Sequence, residues 1–282
     1  MQKVTIKQWI ALSITCIGVL ALIMFQAFGI HQILKVSFLD VGQGDAIFIQ
    51  TSEHHNVLID AGPDSKVVDQ LSRQMGFFDK TIDIFILTHP HADHYGGILS
   101  VMQKYKIQRV VLTGVTSKDP AYLVFLDRAK EENIEIIFAK NNQDLQIGPN
   151  LYLDVLYPLK NQSLVGQSVH NKNNTSMAVR LLRYASDGQE SLAVLTGDAE
   201  HEEEREILLS GQVVKADILK LGHHGSKTAT SDGFLRAVDP DTTVVSVGTD
   251  NKFSHPHVET MEKVKGLKVY RTDLYGTIGL DM

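Results

Sequence analysis

The chain has 282 residues, 43% hydrophobic and 21% charged, a balance that lets a globular body bury enough apolar surface to offset chain entropy and excludes a largely disordered protein. A formal charge of −6 argues against a surface that binds polyanions all over, though not against a local basic groove. The single cysteine, Cys16, rules out a disulfide framework or a cysteine-based zinc site within the chain, which leaves His, Asp and Glu as metal ligands.

In chain order, the first feature is the run 9–30, which holds no charged side chain. About 20 such residues let a helix cross the hydrocarbon core. Lys3 and Lys7 precede it, so the positive-inside rule keeps the N-terminus cytoplasmic and delivers the rest of the chain to the other side. The expectation is one N-terminal transmembrane helix within residues 1–31, anchoring a domain of residues 32–282 on the extracytoplasmic face of the cell membrane. Two alternatives stand beside it. Ala27 and Gly29 offer small residues for cleavage of a signal peptide, which would make the protein secreted, and the run could also be a buried core helix.

After the run the pattern changes to short apolar strands separated by turn residues, over 33–41, 45–51, 57–61 and 82–88. Helices are predicted over 66–75, 97–105, 121–132, 199–210 and 258–265. Further strands are predicted over 109–112, 135–138, 151–156, 177–184, 191–195, 216–221, 243–247 and 268–271. Ser186-Asp187-Gly188 reads as a hairpin turn, and 160–175 as a long polar loop. Leading hairpins followed by mixed strands and helices predict an α/β fold of two sheets with helices outside them.

The stretch Thr88-His89-Pro90-His91-Ala92-Asp93-His94 sets three imidazoles and a carboxylate at the end of a buried strand. Crowding such groups is costly unless they share a partner, and a divalent cation supplies one. His nitrogens and Asp oxygens suit zinc, and less selectively manganese or iron, in sites that keep positions open for water.

This stretch resembles the H-x-H-x-D-H signature of the metallo-β-lactamase fold. Two upstream segments, 38–46 and 58–62, are similar to the ComEC-like branch, named for the soluble domain of a competence protein. The resemblance implies a four-layer αββα sandwich carrying one or two Zn2+ ions, with Mn2+ as the alternative metal. It implies His89 and His91 as ligands of one metal, and Asp93 and His94 as ligands of a second. Asp198, in Thr196-Gly197-Asp198, would bridge the two, with capping of the following helix as the alternative when it is read alone. In His223-His224-Gly225-Ser226 the first ring, His223, resembles the last ligand of the second metal. His224 then stands behind the ligands or faces substrate.

Many members of the fold supply one more His, and only His170 lies in that interval, where no ligand role is assigned to it. Asp60 is the carboxylate best placed to hold a ligand ring, whereas Asp40 and Asp45 fit turn and cap roles as well. Ser254-His255-Pro256-His257 resembles a segment of the same branch and makes His255 a proton donor or phosphate contact, with Lys227 nearby to neutralise developing charge.

The implied chemistry is hydrolysis by water that the metal activates, with Asp93, His255 and Lys227 at the reacting centre. No Ser or Cys nucleophile is needed, which agrees with the lack of a G-x-S-x-G elbow or a P-loop, and no nucleotide cofactor is expected. By analogy with the competence branch the substrate is a phosphodiester such as DNA. Cell-wall or lipid phosphoesters, a lactam or a thioester are the alternatives, and a catalytically idle, membrane-tethered binding module is a reading of another class.

Overall fold

Runs such as 81–87 are buried on both faces and therefore read as almost continuous Ile, Phe and Leu, the pattern of a strand covered on two sides. The computed structural model describes residues 5, 7, 13–15, 17–19, 34–140, 144–159 and 162–282. The chain divides into two units, Met1–Ile33 and Leu34–Met282. In the first, residues 13–15 and 17–19 are helical, and Ile14, Ile17 and Val19 are exposed. Most of the expected membrane anchor lies outside the described residues. Among those described, no helix is long and apolar enough to cross a membrane, so the single-pass helix has no support from the fold.

The second unit contains two seven-stranded sheets. Strands β1 (Lys35–Phe38), β2 (Ile47–Gln50), β3 (Asn56–Ile59), β4 (Thr81–Leu87), β5 (Lys106–Leu112) and β6 (Glu135–Phe138) belong to the first. The second holds β7 (Asp144–Gly148), β8 (Leu151–Tyr157), β9 (Ala178–Ala185), β10 (Gly188–Leu195), β11 (Ile218–Lys220), β12 (Thr242–Val245) and β13 (Lys268–Arg271). The last strand, β14 (Ile278–Asp281), returns to pair with β1, giving the orders β14-β1-β2-β3-β4-β5-β6 and β13-β12-β11-β10-β9-β8-β7.

Helices α1 (Lys66–Gln74), α2 (Ala92–Tyr95), α3 (Ile98–Lys104), α4 (Pro120–Glu131), α5 (His201–Leu209), α6 (Asp232–Val238), α7 (Val258–Lys263) and α8 (Thr272–Tyr275) complete the unit. Side-chain alternation builds three cores between four layers. Ile84, Ile86, Leu153, Val179, Leu195 and Val244 meet between the sheets. Phe85 and Leu87, the alternate residues of β4, pack outward with Val67, Leu71, Val101 and Phe125 of α1, α3 and α4. On the other side Val194, Leu219 and Val245 pack against Ile207 and Phe234 of α5 and α6.

The expected helices and most expected strands form at or within a few residues of their predicted limits, and the turn at 186–187 joins β9 to β10. Five elements differ, two of them the single-turn helices α2 and α8, which are too short to show a periodic pattern. β7 and β14 are not expected from the sequence, because a four- or five-residue edge strand is specified by its partner rather than by its own pattern. α6, capped by Ser231 Oγ accepting from Phe234 N at 3.2 Å, fills a stretch where the sequence predicts no element.

Candidate metal centre

The parallel strands β3, β4, β10, β11 and β12 end at the same edge of the sandwich, and each is followed by residues of the site. Crevices outside the carboxyl ends of parallel strands are the usual place for ligands in open α/β sheets. Asp60 follows β3, Thr88 to His94 follow β4 into α2, Asp198 follows β10, His223 and His224 follow β11, and Ser246 follows β12.

Two backbone devices bring these segments together. Gly44 has φ +148°, and a Cβ there would run into the carbonyl oxygen of Asp93; only glycine lets the 42–45 turn lie against the His-rich loop, where Asp45 N donates to Asp93 O at 3.2 Å. Asp60, His223 and His224 are non-glycine residues in the left-handed region, at φ +59°, +46° and +54°. Each such residue costs on the order of 1–3 kcal/mol and persists only when its surroundings over-determine it.

Asp60 is fully buried and accepts three hydrogen bonds, from Thr88 N at 2.8 Å, Thr88 Oγ1 at 2.7 Å and His94 Nδ1 at 2.7 Å. Because the Thr88 hydroxyl gives its proton to Asp60, its lone pair is left for His89 Nδ1–H at 3.1 Å. His89 Nδ1 also meets Ser176 Oγ at 3.1 Å, and that oxygen accepts from Asp198 N at 3.0 Å. The second carboxylate, Asp45, lies 3.3 Å from His224 Nδ1, which donates to the Ser246 carbonyl at 2.9 Å; a carbonyl only accepts, so that nitrogen carries the proton. Both rings are thus turned by carboxylates or carbonyls so that Nε2 points inward, the arrangement expected of metal-binding histidines.

Asp198 Oδ2 is where they converge. His94 Nε2 lies 3.2 Å from it, His224 Nε2 3.5 Å, and His89 Nε2 3.9 Å. Asp93 Oδ2 approaches His224 Nε2 at 3.4 Å, and one ligand atom from each of Asp93, His94, Asp198 and His224 lies within 4.8 Å of all the others. His91 Nδ1 stands 3.0 Å from His89 Nε2, a second pair of nitrogens beside the first group.

The donor set fits a divalent cation. His94 Nε2, His224 Nε2 and Asp198 Oδ1 are buried without a hydrogen-bond partner, a costly state that a cation relieves. The electrostatics agree. Burial lowers the His94 and His224 rings, but the surrounding aspartates outweigh it, so His94 is held well above its ordinary pKa and His224 is raised to about 10. Burial, with the neighbouring His94 charge, pushes His89 well below its usual value. Burial opposes ionisation of Asp198, yet His224, His94 and His89 hold it well below the ordinary carboxylate range. Protons on His94 and His224 therefore occupy the positions of positive charge that a metal would take.

Lys220 is the residue that sequence reasoning missed. It is fully buried, its Nζ is paired with Asp45 Oδ2 and donates to Gly197 O at 2.9 Å, and it lies 4.0 Å from Asp198 Oδ1. One charged residue inside the apolar strand Ile218–Lys220 was the signal available. Asp45, open between a turn role and a site role, proves to orient a ring, whereas Asp40 serves its turn by accepting from Gly42 N at 3.2 Å and Lys66 Nζ at 2.9 Å.

The two adjacent histidines exchange places relative to expectation. His224, not His223, joins the ligand group. His223 remains partly exposed, 3.9 Å from Asp198 Oδ2, with Nδ1 3.2 Å from Glu200 Oε1 and Asn173 Nδ2 against its ring. The left-handed backbone at both residues turns the second ring, not the first, toward Asp45. His255 packs against His223 and His224 with ring centroids 5.3 and 6.2 Å away. Burial and those rings lower its pKa to about 4, so it is neutral at pH 7 and unsuited to be a resident proton donor. Lys227 is exposed, with its backbone N donating to His257 Nδ1 at 3.1 Å; no contact brings its side chain to the cluster. His170 is exposed. A separate apolar cavity of about 730 Å³, lined by Leu112, Val115, Tyr122, Leu126 and Phe138, contains none of these groups.

Two sheets with helices on their outer faces and a His/Asp cluster at their common edge define a metallo-β-lactamase domain, a class whose members are usually metal-dependent hydrolases. Residues 39–142 match the model of the metallo-beta-lactamase superfamily, which gives the chain a metallo-beta-lactamase domain. It is similar to ComE operon protein 3 of Bacillus subtilis, 32% identical over 265 residues that cover 86% of this chain and 32% of that one. Recombination protein 2 of Haemophilus influenzae is 27% identical over 242 residues, 83% of this chain and 27% of the relative. These names fit the ComEC-like branch, and the chain spans about a third of the length of the curated relatives it matches. The fold is shared with the metallo-beta-lactamase fold protein YhfI from Bacillus subtilis, at TM-score 0.55 and 15% identity over 87% of this chain and 99% of that one.

Proposed function

We propose that the chain is a metal-dependent phosphodiesterase or nuclease, tethered to the membrane through residues 1–31 and working on its extracytoplasmic side. The observation that carries the hydrolase reading is the convergence of Asp93, His94, Asp198 and His224 on one point, with His89 and His91 beside it. Zn2+ is the favoured ion and Mn2+ the alternative, since the donors are imidazole and carboxylate. When bound, the cation supplies a nucleophile from water near neutral pH and a Lewis acid for the oxygen that gains charge.

The chain's own residues hold that chemistry in place. Asp60 and Asp45 fix His94 and His224, Lys220 offsets the charge of Asp45 beside Asp198, and Thr88 and Ser176 set the His89 ring. His255, neutral and at the rim, suits a hydrogen bond to a phosphate oxygen or receipt of a proton at Nδ1, a buried atom without a hydrogen-bond partner. The phosphodiester substrate is supported by the names of the relatives, which concern competence and recombination. The tether is supported by the uncharged run 9–30 behind Lys3 and Lys7, and by the exposure of Ile14, Ile17 and Val19.

The test is elemental analysis of the purified chain, followed by assays on single-stranded DNA and a bis-aryl phosphodiester with Zn2+ and Mn2+. Hydrolysis that a chelator abolishes and Asp198→Asn eliminates is the expected result. Full metal loading with neither substrate cleaved would move the reading to the other ester classes. Protease shaving of intact cells, releasing the domain without lysis, tests its placement.

A further inference from the structure

The molecule exposes two adjacent phenylalanines, Phe77 and Phe78, at 82% and 92% of their surface, in the loop that leaves α1 for β4. Their rings meet edge to face with centroids 5.1 Å apart. Single exposed apolar residues need no explanation, but a paired aromatic tip is what membrane and partner surfaces use.

Its surroundings are cationic. Lys80 Nζ lies 5.7 Å from the Phe77 ring centroid and 5.5 Å from that of Tyr105, over which Lys104 Nζ also sits at 5.8 Å. Lys106 adjoins them, its N donating to Lys80 O at 2.8 Å. The one acid of the loop, Asp79, is turned inward, where it accepts from Asn56 Nδ2 at 2.7 Å and from Thr81 N at 3.3 Å. Other acids at this end include Glu53, Asp83, which accepts from Asn56 N at 2.8 Å, and Asp281, which faces Lys35 across the β1–β14 pair. The lysines that ring the aromatic tip, Lys80, Lys104 and Lys106, are all exposed.

Strand pairing says where the tip sits. Lys35 pairs with Gln50, Gln50 with Asn56, Val57 with Ile84 and Thr81 with Lys106, so the first residue of β1, the Phe77–Phe78 loop and the start of β5 share one end of the first sheet. The metal cluster lies at the opposite end, beyond the carboxyl ends of β3 and β4.

We propose that Phe77 and Phe78, flanked by Lys80, Lys104 and Lys106, form a contact by which the domain rests on an anionic lipid bilayer, with the metal cluster turned away from it. The aromatic pair enters the headgroup region and the lysines meet the negative surface, each adding about fivefold to partition. Neither the tether nor the hydrolytic reading is needed for this contact.

The test uses the full chain with its one tryptophan, Trp9, changed to Phe and an indole introduced by Phe78→Trp, so that emission reports this loop alone. Vesicles of phosphatidylcholine with phosphatidylglycerol, part of the lipid brominated in its acyl chains, should shift the emission to the blue and quench it. Added salt, and the triple change Lys80→Glu, Lys104→Glu, Lys106→Glu, should remove most of the quenching. The same reporter at the metal end, Phe253→Trp, should stay in water. Emission from position 78 that ignores the vesicles overturns the proposal, as does equal quenching at 253. A shift that needs no vesicles and grows with protein concentration assigns the tip to a second copy of the chain instead.

Discussion

Asp60 Oδ2 and His94 Nδ1 lie 2.7 Å apart, and this contact turns a ring from the loop after β4 by means of a carboxylate from the end of β3. Asp60→Asn keeps the size of the side chain but removes the charge that holds the ring and its basicity. Affinity for the ion served by His94 should fall 10–100-fold, read by competition with a zinc-sensitive dye. Unchanged affinity with an unchanged circular dichroism spectrum would show that the contact is structural only.

The exchange between the adjacent histidines has a direct readout. His224→Ala should lower the bound metal per chain, because its Nε2 lies 3.5 Å from Asp198 Oδ2 and 3.4 Å from Asp93 Oδ2. His223→Ala should leave metal content close to wild type. The reverse result in elemental analysis returns the ligand role to His223.

Lys220→Met leaves Asp45 buried with its main counter-charge gone. Removal of one partner from a buried pair costs about 3–5 kcal/mol, measured by denaturant unfolding of the metal-free protein. Adding Asp45→Asn should recover part of the loss, since no unpaired carboxylate then remains. A single variant as stable as wild type would refute the pairing.

Metal uptake should release protons. His94 and His224 are held above their ordinary pKa when no ion offsets the aspartates, and His224 at about 10 is protonated at pH 8. Because only the neutral ring binds, affinity rises with pH through this range. Calorimetric titration in buffers of different ionisation enthalpy should give a buffer-dependent heat; identical heats would contradict it.

Glu203 predicts a pH effect away from the metal. It is buried, both carboxylate oxygens lack a hydrogen-bond partner, and burial with Glu204 and Glu206 nearby raises it well above 4.5. The folded chain keeps this proton while the unfolded chain loses it near 4.5, so stability declines as pH rises from there to the folded pKa. Glu203→Gln should therefore be more stable than wild type at pH 7–8, with the difference shrinking toward pH 4.5, as denaturant midpoints at several pH values will show.

Strand and helix order was legible in the chain wherever periodicity was strong, because the alternation of β4 and the amphipathic face of α1 are local properties of the chain. The sequence also brought most of the cluster into view, because His89, His91, Asp93 and His94 are neighbours along the backbone. The roles of Asp45, Lys220 and Ser176, the reversal of His223 and His224, and the pairing of β14 with β1 were decided only in three dimensions. The physical reason is common to all of them: orientation comes from contacts between segments far apart in sequence, such as Asp45 with Lys220 and Ser176 with His89, and from left-handed backbone at single residues. Residue types say which groups can bind a cation; only the packed sheets say which of their atoms face it.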